Sequence, residues 1–248
     1  MTVLYLPKSA LLTAWEWERH GPPPAVLGPD NLWLGDETRK RLDEKVLDVL
    51  ASLRLATGGT LTREFRDVLR VLARGPRQFT AWLGDIEADE SGTALISADG
   101  PRAFRLIRKA DTIRIDAVEP SRIAESLVDV LPPVPPARIE RVAIPESRFS
   151  GHEESYDLAD PTSDATRDPL PWARRLMAAK RTGMHQCYAV NDGARSAPIT
   201  AVDAAGVGRV LTYAFPARER MVSIQPGTRA AMVDVLYATL NGLGGGAR

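Results

Sequence analysis

The chain carries one sequence pattern twice, and this internal similarity limits its fold more than any other feature. A short apolar run is followed by a proline and, two residues later, by a serine at residues 4–9 and again at residues 142–147. The halves also end alike, because an apolar run, a proline and apolar residues at helical spacing occur at residues 115–131 and 222–240. We interpret the chain as a diverged tandem duplication.

Each half contains four apolar runs of strand length, separated by short turns rich in Gly, Asp and Asn. Links this short join antiparallel neighbours, so each half is predicted to form a four-stranded meander. The predicted fold class is α+β with quasi-twofold symmetry: a central, mainly antiparallel sheet with flanking helices. The predicted strands are 78–86, 93–98, 103–109 and 112–118 in the first half, and 185–190, 199–203, 209–215 and 220–224 in the second.

The two halves are predicted to form a single domain. A proline-rich segment between them is typical of a stiff, extended connector, and the glycine-rich end of the chain is typical of a frayed tail. The predicted boundaries are 1–131 for the first half, 132–137 for the connector, 138–240 for the second half and 241–248 for the flexible tail.

The halves differ most in their helices. The first half has two amphipathic runs, at residues 36–55 and 60–73, whereas the second keeps one, near 172–180. Residues 151–168 are polar and acidic, which is typical of a mobile loop. An asymmetric pair of halves suits the binding of one asymmetric partner, so the differences between the halves are where function is expected.

Composition excludes several classes of function. The chain has 32 basic and 32 acidic residues and a formal net charge of zero, which argues against broad binding of nucleic acid or anionic membranes. Cys187 is its one cysteine, so no intrachain disulfide can form. We find no signal-peptide pattern in residues 1–20 and no apolar run approaching the roughly 20 residues of a membrane span. These features predict a cytoplasmic protein that does not insert into membranes.

The chain lacks the motifs that mark common catalytic sites. It has no phosphate-binding loop of the Gly-x-x-x-x-Gly-Lys type, no Gly-x-Ser-x-Gly elbow and no His-Glu-x-x-His motif. Its three histidines and single cysteine are too scattered to form a zinc site. We therefore predict no enzyme activity, no cofactor and no metal.

Two small groups of residues leave a catalytic alternative open. His185 and Cys187 lie two apart on a predicted strand and so share a face, which would suit either a reactive thiolate pair or a buried, inert cysteine. Ser147, His152 and Asp157 are the residue types of a hydrolase triad, but they also fit a helix start followed by a solvated loop.

An acidic turn lies between the first two predicted strands. Its carboxylates are Asp85, Glu87, Asp89 and Glu90. Their spacing differs from that of an EF-hand, which also needs a closing bidentate Glu. The turn is therefore interpreted as a cation site, as a solvated hairpin tip or as a contact loop for a protein partner.

The order of elements and two short stretches resemble the EspG family of actinobacterial type VII (ESX) secretion systems. The stretches are residues 71–77, before the first meander, and 175–186, before and within the second. The resemblance covers nearly the whole chain. It implies a cytosolic, non-enzymatic chaperone that binds the PPE subunit of a PE–PPE heterodimer, or a related ESX substrate, and keeps it soluble until export.

The resemblance also implies a contact surface. Family members contact their partner through the loop between the second and third strands of the first half, the sheet surface and the C-terminal helical bundle. When the short apolar run at residues 4–7 is counted as the first strand, that loop in this chain is 84–92, which is shorter than it can be in the family. The closing helix is 228–240. A non-catalytic interaction adaptor without a secretion role is the alternative function, and the oligomeric state stays open. The partner-binding residues implied are Trp82, Leu83, Asp85, Glu87, Asp89, Glu90, Tyr188, Met232 and Leu236.

Overall fold

The computed structural model of the chain describes residues 3–28, 35–150 and 171–244, apart from residues 172, 174, 175 and 177 and the side chains of 149 and 150. The acidic segment predicted at 151–168 lies outside the described residues, as do His152 and Asp157. No described helix is long and apolar enough to cross a lipid bilayer.

An eleven-stranded antiparallel sheet forms the centre of the molecule. A separate small hairpin pairs two further short strands. The strands are β1 (Leu4–Pro7), β2 (Ala56–Thr57), β3 (Thr60–Leu61), β4 (Arg77–Asp85), β5 (Glu90–Asp99), β6 (Arg102–Lys109), β7 (Thr112–Ala117), β8 (Val142–Pro145), β9 (Arg181–Asn191), β10 (Ala194–Arg195), β11 (Ile199–Ala204), β12 (Gly208–Pro216) and β13 (Arg220–Pro226).

Helices lie on both faces of this sheet. Two short 3₁₀ segments, Ala25–Leu27 and Pro120–Arg122, accompany them. The backbone is also helical at residues 171, 173, 176 and 178. The α-helices are α1 (Lys8–Trp17), α2 (Asp36–Ser52), α3 (Arg63–Arg74), α4 (Ile123–Val128), α5 (Glu146–Ser150) and α6 (Arg229–Gly244).

The strand order places the two halves of the chain side by side. It runs β1-β7-β6-β5-β4 and continues β9-β11-β12-β13-β8, with β10 added against β9. In each half, four long strands thus form a meander. The short strand that precedes them in the chain, β1 or β8, pairs with the last of the four at the outer edge of the sheet. The eight long strands and their antiparallel pairing confirm the predicted fold class. The duplication itself stays a prediction.

The halves join along β4 and β9. These strands pair without interruption from Arg77 opposite Asn191 to Asp85 opposite Gly183. Because side chains alternate along a strand, this seam has two different faces. We call the face that carries Trp82 and Tyr188 the front face, and the face that carries Phe79 and Cys187 the back face.

The core consists of three clusters of buried apolar residues. On the front face, α1, α2 and α3 cover the first half, with residues such as Leu69 and Leu95 fully buried. A smaller front-face cluster in the second half includes Ala173 and Ile224. On the back face, α4 and α6 cover the centre of the sheet. Between these two front-face clusters, the seam carries the half-buried side chains of Trp82 and Tyr188.

The predicted helix boundaries of the first half need correction. The chain leaves α2 after Ser52 and forms the β2–β3 hairpin, because Gly58 and Gly59 adopt the positive φ angles of a tight turn. Helix α3 then begins at Arg63, and the Thr62 hydroxyl caps it by accepting a hydrogen bond from the amide of Phe65 at 3.4 Å.

The end of the chain also differs from expectation. Pro226 ends β13, and the closing helix begins only at Arg229, where the Thr228 hydroxyl accepts from the Ala231 amide. This helix runs four residues into the predicted tail. Asn191 donates to the Leu240 carbonyl at 3.2 Å, and Leu243 packs on the back-face cluster. These contacts hold the last turn against the sheet.

The proline-rich connector is fixed to the sheet by backbone hydrogen bonds. The amide of Arg209 donates to the Pro135 carbonyl at 2.7 Å, and the amide of Ala137 donates to the Arg209 carbonyl at 2.9 Å. Close approach requires glycine at Gly208, where φ is +99° and a β-carbon would lie 2.6 Å from the Pro135 oxygen. The connector is thus part of the packed structure as well as a spacer.

Candidate functional site

Trp82 and Tyr188 meet on the front face. Trp82 lies on β4 and Tyr188 on β9, and their rings contact edge to face with centroids 5.4 Å apart. The guanidinium of Arg195, on β10, lies 3.9 Å from the Tyr188 ring centroid and 5.4 Å from that of Trp82. We call these three side chains the aromatic platform. It places apolar area and a cation together at the seam between the halves.

Apolar side chains continue along the seam from this platform. Of the five large apolar residues that are exposed among the described residues, Met184 and Ile86 lie here, at 38% and 52% exposure. Met184 is opposite Gly84, which has no side chain to cover it. The Ile86 amide donates to the Thr182 carbonyl at 2.8 Å, so pairing continues past the end of β4 and alternation places Ile86 on the front face.

The acidic turn forms the tip of the β4–β5 hairpin, at the far end of this apolar row. Asp85 accepts a hydrogen bond from the Ala88 amide at 2.9 Å, which closes the turn. Two lysines pair with the tip: Lys180 lies 3.6 Å from Glu87, and Lys109 lies 2.8 Å from Glu90. In the part of the chain that the structure describes, no three His, Cys, Asp or Glu side chains converge as a metal site. The hydrogen bond of Asp85 and the two lysine pairs thus define the tip as an acidic hairpin turn.

The remaining predicted contact residues lie away from the platform. Leu83 follows Trp82 on the strand and so points to the back face, where it lines a shallow cleft with Asp85, Glu90 and Val130. Met232 and Leu236 are each 1% exposed and pack from α6 into the back-face cluster. The expectation that these two contact a partner needs correction. Their helical stripe binds the sheet, and the exposed side of α6 carries Asp234 instead.

A buried charged cluster escaped the sequence analysis. On the back face, Asp203 of β11 accepts from His185 at 3.0 Å and from Arg209 at 2.7 and 2.8 Å. Arg209 also donates to the Pro132 carbonyl at 2.9 Å, which ties the connector to the cluster. All three side chains are at most 6% exposed. The sequence does contain one signal for this cluster, namely charged residues at inward-facing positions of predicted strands. Such residues indicate buried ion pairs.

The pKa of Asp203 is low because of this cluster. Burial alone raises it, but the hydrogen bonds from Arg209 and His185 outweigh burial and hold the pKa at about 2, against an ordinary value of 3.8. A carboxylate whose pKa is depressed by folding stabilises the protein above its unfolded pKa and loses that contribution as the pH falls through its folded pKa. The contribution is about 2 kcal/mol near neutral pH.

We expect this contribution to appear in acid unfolding. Between pH 5 and pH 3 the wild-type free energy of unfolding should fall by about 1 kcal/mol more than that of Asp203→Asn, which has no carboxylate to protonate. Urea unfolding followed by tryptophan fluorescence at several pH values measures the difference. Equal pH slopes in the two proteins would show that the cluster does not hold Asp203 ionised.

Cys187 is buried on the back face and packs with Phe79 and Ala189. Burial raises the pKa of its thiol to about 12, far from the range of a reactive thiolate. Among the described residues, His185 makes no hydrogen bond to this thiol: its Nε2 atom is engaged with Asp203, and its buried Nδ1 atom has no partner. The geometry therefore favours the inert reading of this pair over the catalytic one.

A thiol-labelling experiment tests this assignment. In native buffer, Cys187 should react with 5,5′-dithiobis(2-nitrobenzoic acid) at least about a hundredfold more slowly than in 6 M guanidinium chloride, since the folded thiol is almost wholly protonated. Stopped-flow absorbance gives both rates. Native labelling as fast as that of a free peptide thiol would contradict the buried, inert assignment.

Comparisons with known proteins bear on the whole chain. The family model described as EspG family matches residues 7–238. Among solved structures, the fold is similar to that of the Mycobacterium tuberculosis type VII secretion system chaperone EspG5, solved in complex with the PE25–PPE41 dimer, with a TM-score of 0.66 and 14% sequence identity. This alignment covers 100% of the present chain and 99% of that chain. No curated protein is similar enough in sequence to count as a relative.

Proposed function

The chain belongs to the EspG family, and from this premise we propose that it is a cytoplasmic chaperone of an actinobacterial type VII secretion system. It binds a PPE-like subunit of a PE–PPE heterodimer and keeps the pair soluble before export. The observation that carries the proposal is the family match over residues 7–238. A fold shared over its full length with a chaperone solved in complex with PE25–PPE41 supports it.

The aromatic platform and the acidic tip form the proposed binding surface. Protein interfaces combine a partly exposed apolar centre, rich in Trp, Tyr, Met and Arg, with a polar rim. Trp82, Tyr188 and Met184 supply such a centre, and the carboxylates of Glu87 and Asp89 supply one side of the rim, with Asp85 and Glu90 behind them in the back-face cleft. Leu83 stays in the proposed surface only at its edge, through the back-face cleft beside the tip.

A binding role without catalysis agrees with the polar groups of the site. The His185–Asp203–Arg209 cluster satisfies its own charges inside the protein, and burial raises the pKa of the Cys187 thiol. The front face of the seam instead offers apolar area, which a chaperone needs in order to shield the apolar end of a partner from water.

Co-expression tests the proposal. A PE–PPE pair from the same genome is produced in a heterologous host with this chain, without it, or with an unrelated protein of similar size, and the soluble fraction of the PPE subunit is measured. We expect the PPE subunit to be soluble and to co-purify only when this chain is present. A soluble fraction independent of this chain for every pair tried would reject the secretion role, and capture of a different partner would favour the adaptor alternative.

A further inference from the structure

The proposed partner surface has opposite charges at its two ends. At one end is Arg195, which is exposed and stacked on Tyr188. Among the described residues, no carboxylate pairs with it. At the other end is the hairpin tip, where Glu87 pairs with Lys180 and Asp89 lies at the turn, while Asp85 and Glu90 line the back-face cleft together with Lys109. Asp89 at the turn has no ion pair with a described residue.

The stretch between these charges is mainly apolar, with the amide of Gln186 opposite Trp82, and it has the length of a short segment. It follows β4 and β9 from the pair Thr80–Tyr188 to the pair Asp85–Gly183. At the usual rise of a strand this spans about 17 Å, which matches roughly three turns of an α-helix. Met184 exposes its side chain within this stretch, and Ile86 exposes its own just past the end. A partner segment lying here therefore meets a cation, then apolar surface, then excess negative charge.

The stacking also fixes where the cation lies. Contact with both rings holds the guanidinium over the platform, and a stacked arginine keeps its N–H donors free at the ring edges for a carboxylate. An ion pair formed there is partly shielded from water by the partner itself. Such pairs act mainly on the orientation and selectivity of binding.

From this arrangement we infer that the front face selects and orients a partner segment of defined charge pattern. The segment carries an acidic side chain that pairs with Arg195, apolar side chains that pack on Trp82 and Met184, and a basic side chain that pairs with the hairpin tip at Glu87. The inference rests on the proposed function and adds the chemistry by which the site recognises its partner and the direction in which the partner lies.

Charge reversal at each end tests the inference. The affinity for a PE–PPE pair is measured for wild type, Arg195→Glu, Glu87→Lys and the control Arg218→Glu, an exposed arginine on the β12–β13 turn. Each of the first two variants should bind at least about tenfold more weakly, and raising the salt concentration should weaken wild type more than either variant. Arg218→Glu should bind like wild type.

The outcomes separate this inference from the function on which it rests. If Arg195→Glu and Glu87→Lys each bind the PE–PPE pair within about twofold of the wild-type affinity while Trp82→Ala binds more weakly, the charge pattern is overturned and the chaperone role stays intact. Absence of wild-type binding to every PE–PPE pair would overturn the proposed function and this inference with it. Thermal unfolding of each variant checks that the exposed substitutions leave the fold unchanged.

Discussion

Replacing Arg209 with alanine is expected to lower the free energy of unfolding by about 3–5 kcal/mol, because it leaves the buried Asp203 carboxylate without its main partner. Arg209 is 5% exposed and makes two hydrogen bonds to Asp203. Its third, to the Pro132 carbonyl, holds the connector between the halves. Urea unfolding near neutral pH, followed by circular dichroism, measures the loss, which is a large share of the stability of an ordinary domain.

The neighbouring strand offers a matched control. Arg220 lies on β13, forms an ion pair with Glu146 at 2.9 Å and has a side chain that is 58% exposed. Surface ion pairs of this kind contribute about 1 kcal/mol or less, so Arg220→Ala should unfold close to wild type. A similar loss of stability in both variants would contradict the view that burial makes the Asp203 cluster structurally important.

Replacing Trp82 with alanine is expected to weaken binding of a PE–PPE pair by about 30-fold or more, equivalent to at least about 2 kcal/mol. The substitution removes the largest side chain of the aromatic platform and deprives Arg195 and Tyr188 of a common contact. Aromatic residues at the centre of an interface commonly carry binding energy of this size. Isothermal titration calorimetry gives the affinity directly.

Tyr5 provides the control for this substitution. It is an exposed aromatic residue, 59% accessible, on the outermost strand of the sheet and distant in sheet order from β4 and β9. Tyr5→Ala should leave the affinity unchanged. Because Trp82 also packs against the first front-face cluster, the melting temperature of Trp82→Ala must be measured too. Unchanged affinity of a folded Trp82→Ala protein would remove the platform from the binding surface.

Local patterns in the sequence were sufficient to predict the eight long strands. Each strand shows either alternation, as in residues 112–118, or a short apolar run between turn residues, and glycines such as Gly100 and Gly206 supply the positive φ angles of the turns. Short turns then require antiparallel neighbours. The helix boundaries were less accurate, because the ends of the two predicted helices at residues 53–55 and 60–62 belong to the segment that forms the β2–β3 hairpin around the Gly58–Gly59 turn.

The arrangement of the halves could not be read from local patterns. The pairing of β4 with β9 joins residues about a hundred positions apart, and no turn links the two strands. The same limit affected the site. Met232 and Leu236 form the stripe of an amphipathic helix, and the sequence alone does not say whether that stripe meets the sheet or a partner. The structure places it against the sheet.

The buried cluster shows a second limit of sequence reasoning. His185 was considered only with Cys187, its neighbour on the strand, because Asp203 and Arg209 are distant in sequence and reach it across β11 and β12. By contrast, Trp82 and Tyr188 were both among the implied partner-binding residues, and they do meet on one face. Their contact with Arg195 required the position of β10, a two-residue strand with no sequence signature.

Size-exclusion chromatography with multi-angle light scattering tests the central claim, that this chain binds a PE–PPE pair, most directly. The purified chain is mixed with an equimolar PE–PPE pair from the same genome, and the mass of each peak is measured. The account predicts an added peak that contains all three chains and whose mass equals 27.0 kDa plus that of the pair. Separate elution of the chain and of every such pair, at concentrations well above micromolar, would contradict it.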